Sequence, residues 1–559
     1  MQRRMTLVVA AVLVMAACSG DGSVFTQSTE ASTTSTESTT TTRADDTTVT
    51  TSSTTTTAPP TTTTAAEGFP QAIVDAYMEG CTESGDPAFC RCTIEEFERR
   101  LTLDEFLALE GGDITGQEVV LDVTEACLGS VTAGSTTTTT MAPSDLQPLT
   151  MEEVIDLTIT DIVAYWDRVM PDLYGVAYED VSATVPYFPS TGDVPPCGPD
   201  PIPAELYYDN AFYCRPGDYV AWDAEGLFPD LWNEFGDFTI SFVLAHEWGH
   251  AIQARGQVFG PTIMTELQAD CFAGSWAADV DAGNSENLVL EPGDLEEAMA
   301  GFLLFRDPPG TSPTDPQAHG SAFDRFNAFQ DGYFNGADRC ADYETGAYVV
   351  VDIPLTQQDL ETGGNLPYAD TAPLLGESLE TYWEIVFPEL FGSPYLPLSD
   401  YGSYLPSTGL LPRCGEGEPD PNDYLDNAFY CPEGDFIAWD DESLFPRLYD
   451  NIGDFAIGVV MAHEWATAVQ ARAGLPMEGL EAELQADCFT GAWAAALIPV
   501  DNPTGILLSP GDLDEAISGF LAFGDDPVSG ESFGGTPFQR FDAFQDGFFL
   551  GPAACLAGE

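Results

Sequence analysis

From residue 150 onward the chain runs through one pattern twice, and this repeat constrains the fold more than any other feature. Tyr165-Trp166 returns as Tyr382-Trp383, and Pro189-Ser190-Thr191-Gly192 as Pro406-Ser407-Thr408-Gly409. Asn210-Ala211-Phe212-Tyr213-Cys214 returns as Asn427-Ala428-Phe429-Tyr430-Cys431. The offset is 217 residues as far as Trp276 and Trp493, then 218 in the next helical segment and 215 near the end, so insertions and deletions fall in loops. Each copy has about 200 residues, enough for a core of its own, and two copies are too few for a solenoid. We therefore expect two tandem globular domains, 149–350 and 366–559, with a connector at 351–365. Residues kept in both copies serve the fold or a shared role. Residues that differ inside a motif tell which copy can do the chemistry.

The segment ahead of the repeat reads as an address and a tether. Arg3 and Arg4 precede an apolar run, Met5 to Ala17, too short to span a bilayer as a mature helix. The run ends in Met15-Ala16-Ala17-Cys18, which resembles the lipobox of bacterial lipoproteins, where the Cys is lipidated and becomes the first mature residue. The alternative is an ordinary secretory signal cut near Ala17. Residues 1–17 are thus expected to be a signal peptide and Cys18 the lipidation site. Residues 18–66, almost all Thr, Ser, Ala and Pro, cannot bury a core and read as a disordered stalk. Residues 67–130 have helical periodicity and read as a small Cys-rich helical domain. Residues 131–148, with Thr136 to Thr140, form a second Thr-rich linker. The expected location is extracytoplasmic, on the bacterial cell membrane, with the N-terminal lipid as the sole membrane contact.

Setting Cys18 aside, the 13 Cys fall into three sets of four: Cys81, Cys90, Cys92 and Cys127; Cys197, Cys214, Cys271 and Cys340; Cys414, Cys431, Cys488 and Cys555. An even count per segment in an exported chain points to disulfides. A Cys-rich metal site is the competing reading, and no set has the tandem C-x-x-C pairs that would favour it. Four Cys allow three pairings. Cys197 and Cys214 flank one acidic, Pro-rich loop, and Cys271 is best matched with Cys340, with Cys414–Cys431 and Cys488–Cys555 as repeats. Each bridge stabilises by roughly 2–4 kcal/mol. The charge excludes another class: 92 acidic residues against 16 basic ones give −76, so no basic face is available for nucleic acid.

The first copy carries a metal-hydrolase constellation. Asp237, after Gly236, is placed to cap a helix running to about Arg255. That helix holds His246-Glu247-Trp248-Gly249-His250, an H-E-x-x-H motif. Its two His are at i and i+4, so both imidazoles leave one face and can grip a single ion, with Glu247 near enough to reach a water there. Pro261 marks the start of a second helix bearing Glu266 and Asp270, again at i and i+4. Glu266 can complete a zinc site with His246 and His250. Asp270 can accept a hydrogen bond from the far nitrogen of a ligand His.

The second copy keeps His463 and Glu464 but has Thr467 in the place of His250, while Glu483 and Asp487 remain. A Thr hydroxyl is a weak ligand, so this copy is expected to be a degenerate, catalytically inactive site. His319 aligns with Gly534, so the copy that lost a ligand also lost this His. That co-loss suggests a catalytic role for His319 at the same site, as a donor to the oxyanion. Arg325 and Arg540 persist in both copies and read as structural ion-pair residues. Tyr219-Val220-Ala221-Trp222 is rich in β-formers and reads as a strand that could line the cleft edge.

On His246-Glu247-Trp248-Gly249-His250-Ala251-Ile252-Gln253, on Glu266-Leu267-Gln268-Ala269-Asp270-Cys271-Phe272-Ala273-Gly274, on His319-Gly320-Ser321 with Arg325, and on Phe212-Tyr213-Cys214, the chain resembles the bacterial family named putative neutral zinc metallopeptidases. The resemblance covers most of 150–345 and recurs across 366–559. It implies a zincin-type fold with His246, His250 and Glu266 as zinc ligands and Glu247 as catalytic base.

The expected fold class is α+β: predominantly helical zincin-like domains in tandem, preceded by a small disulfide-braced helical domain and disordered Thr-rich linkers. The expected function is zinc-dependent hydrolysis of peptide bonds in a peptide or protein substrate, with one Zn²⁺ in the first repeat. The alternative is a non-catalytic binding or scaffold lipoprotein whose metal site is structural.

Overall fold

The computed structural model describes residues 149–199, 202–415, 419–499, 501–524 and 534–556, with Arg91, Thr93, Ile94, Arg99 and Arg100, which are helical. The expected signal segment, Cys18, the Thr-rich stretches and Cys81, Cys90, Cys92 and Cys127 lie outside the described residues. The rest is predominantly helical with two small sheets. The first repeat runs α1 (Met151–Tyr174), β1 (Ala183–Tyr187), β2 (Ala211–Cys214), β3 (Tyr219–Asp223), α2 (Leu227–Glu234), α3 (Asp237–Gly256), α4 (Thr262–Asp281), α5 (Asp294–Leu304) and α6 (Ala322–Ala341). After the short α7 (Gln357–Thr362) the second repeats it: α8 (Tyr368–Phe391), β4 (Asp400–Tyr404), β5 (Ala428–Cys431), β6 (Phe436–Asp440), α9 (Leu444–Asn451), α10 (Asp454–Ala473), α11 (Leu480–Ala496), α12 (Asp512–Phe523) and α13 (Pro537–Leu550). No helix among the described residues is long and apolar enough to cross a membrane.

Helices α3 and α4 are buried on nearly every side, as their lack of a polar face dictates. The sequence places Asp237 as the cap of α3, but Asp237 is the first helical residue and its side chain caps nothing. The cap comes from α5, where Glu297 Oε2 accepts from Phe238 N at 2.9 Å. Gly236, at φ 128°, admits it: a Cβ there would lie 1.8 Å from Glu297 Oε1. The second repeat does the same with Glu515 and Phe455 N, also at 2.9 Å. A carboxylate at the positive end of a helix is favourable whatever its place in the chain, so a local capping rule misses one supplied from 59 residues away.

Each sheet has three strands, in the order β1-β3-β2 and β4-β6-β5. β1 pairs parallel with β3 from Ala183↔Tyr219 to Tyr187↔Asp223, and β2 antiparallel from Ala211↔Trp222 to Cys214↔Tyr219. The segment expected at the cleft edge, Tyr219–Trp222, is therefore the central strand, and β2 is the edge strand that packs on α3. Of the three pairings open to each set of four Cys, the structure adopts Cys197–Cys214 with Cys271–Cys340, and Cys414–Cys431 with Cys488–Cys555. The first of each couple pins a loop to the site-side strand, and the second ties α4 to α6 or α11 to the tail beyond α13.

Helices α4 and α6 touch backbone to backbone. A Cβ at Gly274 would lie 1.9 Å from Phe329 O, and one at Gly332 1.8 Å from Cys271 O. Both glycines recur, as Gly491 and Gly547, with the same close contacts. This approach brings Arg325 of α6 to Asp270 of α4.

Where two separate cores were expected, one hydrophobic cluster runs through both repeats. Their contact is a twofold exchange. Phe323 meets Phe541, Phe548 and Phe549 at centroid distances of 5.8, 5.0 and 5.7 Å. Its counterpart Phe538 meets Phe326, Tyr333 and Phe334 at 5.7, 5.3 and 6.0 Å. Phe326 and its own counterpart Phe541 meet at the centre, 5.5 Å apart. Mutual exchange of one patch is the geometry of an isologous dimer, built here within one chain. Each such ring pair contributes about 0.5–1.5 kcal/mol beyond area burial.

Candidate metal centre and its counterpart in the second repeat

The i and i+4 spacing on α3 puts the rings of His246 and His250 4.8 Å apart by centroid, both turned toward α4. Glu266 Oε2 lies 3.4 Å from His246 Nε2 and 3.5 Å from His250 Nε2. Donors about 2.0–2.1 Å from a tetrahedral zinc ion stand about 3.3–3.4 Å from one another, so both carboxylate–imidazole distances match a shared ion, and all three atoms lie within 4.8 Å of one another. His250 Nε2 is buried with no hydrogen-bond partner. An orphaned buried ring nitrogen costs stability unless something binds it, and a cation among two imidazoles and a carboxylate would. The residues present fit zinc.

Each ligand is held from behind. His246 Nδ1 bonds Asp270 Oδ1 at 2.6 Å, leaving Nε2 for the centre. Arg325 grips Asp270 with Nε and Nη2, at 2.8 and 2.9 Å. His250 Nδ1 bonds Gln253 Oε1 at 3.0 Å, and Gln253 Nε2 donates to Thr265 O at 2.6 Å. Burial disfavours the imidazolium of His246, but the Asp270 carboxylate and Glu266 outweigh it and raise its pKa to about 10. Burial likewise opposes ionised Glu266, yet His250 and His246 hold its carboxyl well below the ordinary range. The pocket thus concentrates negative charge at a cation-sized point.

Glu247, 4% exposed, is not part of the trio. Its Oε2 accepts from Tyr213 N of β2 at 2.7 Å, which leaves Oε1 for the pocket. Burial pushes its carboxyl up, Glu266 adds to the rise, and the two imidazoles oppose it. His319 lines the same small pocket, with Ala211, Phe242, Val243 and Phe305. Asp307 orients it: Oδ2 accepts from His319 N and Gly320 N at 2.7 and 2.9 Å, and Oδ1 lies 3.3 Å from His319 Nδ1.

In the second repeat His463 Nε2 bonds Glu483 Oε2 directly at 3.0 Å, and Nδ1 bonds Asp487 Oδ1 at 2.7 Å. Against burial, those two carboxylates raise the His463 pKa to about 10, so an imidazolium bridges them. Thr467 Oγ1 donates back to His463 O at 3.2 Å and is turned away from the centre. Glu464 keeps its bond from Tyr430 N at 2.7 Å, and burial pushes its carboxyl up to about 7. Among the described residues, no third ligand atom joins His463 and Glu483.

The chain is similar to a family of zinc peptidases. The family model described as "Putative neutral zinc metallopeptidase" matches residues 254–343 and 414–556, one stretch in each repeat. The uncharacterized protein YpfJ of Escherichia coli K12 is 33% identical over 171 residues, 25% of this chain and 56% of the relative. The uncharacterized protein Rv2575 of Mycobacterium tuberculosis is 33% identical over 159 residues, 23% of this chain and 54% of the relative. The chain therefore spans about half the length of these curated relatives. No solved structure matches it.

The structure thus gathers the predicted residues around one centre: His246, Glu247, Glu266 and His319 line the pocket, His250 stands beside Glu266, and Asp270 lies behind His246. Sequence reasoning missed three contributors. Gln253 and the Tyr213 amide sit inside segments it had singled out, but nothing in their spacing signals a contact. Asp307 lies in a loop that shows no periodicity. Arg325 was read as an ion-pair residue, and its partner is the carboxylate that supports a ligand His.

Proposed function

We propose that the first repeat is a zinc-dependent peptidase domain and that the second is its inactive twin. The observation that carries this reading is the meeting of His246 Nε2, His250 Nε2 and Glu266 Oε2, with the His250 nitrogen buried and unbonded. A zinc ion held there supplies Lewis acidity to the scissile carbonyl and to the attacking water. Glu247, with Oε2 anchored by the Tyr213 amide, takes the proton of that water at Oε1 and passes one to the leaving amine. His319, its Nδ1–H turned to Asp307, presents Nε2 to the pocket, where the ring in its imidazolium form donates to the developing oxyanion. Arg325 and Asp270 keep His246 in the tautomer that presents Nε2.

Metal analysis of the purified full-length chain tests the reading. One zinc per chain is expected, and none in His250→Ala. Wild-type protein that binds no zinc at micromolar concentrations, or His250→Ala protein that keeps it, would sink the proposal.

The cellular placement belongs to the same reading. Met15-Ala16-Ala17-Cys18 and the paired Cys sets support an exported, lipid-tethered chain. Cys18→Ser is expected to move the protein out of the membrane fraction. Unchanged membrane association would contradict tethering through Cys18.

A further inference from the structure

The stretch between α5 and α6 carries Asp307 and His319 to the pocket. Within it Asp307 binds the amides of His319 and Gly320, so the loop is tied to itself. Its two ends are held by the other repeat. Asp514, in the first turn of α12, is 4% exposed. Its Oδ1 accepts from Phe323 N at 3.0 Å, and the Ala322 amide bonds the same carboxylate. Its Oδ2 lies 3.3 Å from Arg306 Nε. One carboxylate therefore joins Arg306, where the loop begins, to the opening turn of α6, where it ends. Negative charge at a helix N-terminus is favourable, and this helix presents Arg325. From there Arg325 Nη1 bonds Phe305 O at 2.8 Å, while Nε and Nη2 hold Asp270, which holds His246.

The exchange between repeats is reciprocal, but its consequence is not. Glu296 of α5 accepts from Phe538 N at 3.3 Å, the mirror of Asp514 with Phe323. Position 524, matching Arg306, is Gly, and position 534, matching His319, is Gly. The two-ended grip exists on the side that keeps the ligands.

We propose that Asp514 is a positioning residue for the first repeat's site, and that the degenerate repeat serves as a built-in brace clamping both ends of the His319 loop. The kinetic consequence rests on the peptidase reading, whereas the clamp can be read without it.

The test uses the full-length chain with Asp514→Ala, Asp514→Glu and Glu296→Ala. In Asp514→Ala, amide hydrogen exchange at His319, Gly320, Ala322 and Phe323 is expected to speed up at least about tenfold, with α3 and α4 unchanged, as a local opening predicts. Zinc content should hold. kcat should fall about 10- to 100-fold with KM within about twofold, as misplacement of a catalytic group predicts. Asp514→Glu, which installs the residue type found at 296, should restore both readouts. Glu296→Ala cuts the mirror contact and should leave both near wild type. Unchanged exchange in Asp514→Ala, an equal loss in Glu296→Ala, or lost protection with unchanged kcat in an active wild type would overturn the brace. Lost protection in a protein with no peptidase activity would end the hydrolase reading and leave the brace standing. If Asp514→Ala does not fold, Asp514→Asn replaces it. Its amide oxygen can keep the Phe323 bond while the ion pair with Arg306 is lost, so exchange at His319 should still speed up, and an unchanged rate would count against the proposal.

Discussion

Glu247→Gln is expected to lower turnover about 10²- to 10⁴-fold, the range supplied by a positioned general base, with zinc content unchanged. Gln matches Glu in shape and can still accept from Tyr213 N with its amide oxygen, so the 2.7 Å anchor to β2 survives. It cannot take up a proton at the second oxygen position. Because the site buries this carboxyl and pushes its pKa up, the neutral replacement should not unfold the protein. The measurement pairs zinc content with cleavage of a peptide substrate, and Glu464→Gln in the second repeat is the control that should change nothing. Full activity in Glu247→Gln would remove the assigned role of this residue.

The second large effect is a gain. Thr467→His adds the missing imidazole to His463 and Glu483, but it should not suffice alone. In the first repeat, α3 and α4 close at Gly249, where a Cβ would lie 2.8 Å from Ala269 Cα. The second repeat has Ala466 at that place, a methyl for which such a crossing has no room. The double variant Ala466→Gly/Thr467→His is expected to raise zinc from one to two per chain and to bind the second ion at least about tenfold more tightly than Thr467→His. The tenfold figure corresponds to about 1.4 kcal/mol, within the usual cost of an overpacked contact. Isothermal titration with zinc on each variant decides it. A double variant that still holds one zinc would show that the second site lost more than a ligand and a close helix crossing.

Parts of this fold were legible because they obey short-range rules. Two His at i and i+4 share a helix face in any α-helix, as do Glu266 and Asp270. The repeat let Thr467 and Gly534 be read as losses without any other protein. Other parts follow no local rule. The cap of α3 comes from Glu297, the strand beside the site is β2 and not β3, and Asp307 orients His319 from an irregular loop. Each joins residues whose separation is set by packing, and composition and periodicity say nothing about which distant side chain arrives. The shared core belongs with these. Phe323, Phe326, Phe538 and Phe541 read as ordinary apolar helix positions, and their exchange across a twofold is visible only once the helices are assembled.

By itself the sequence determined the types and helical spacing of the candidate donors and which copy lacks the second His, because those depend on chemistry and on the 3.6-residue turn. Only the tertiary structure decided that α3 and α4 approach closely enough for three donors to share one centre, and that the second repeat grips the first. Both outcomes depend on backbone contacts at Gly249, Gly274 and Gly332 and on aromatic packing between residues some 200 positions apart in a chain whose folded core is close-packed.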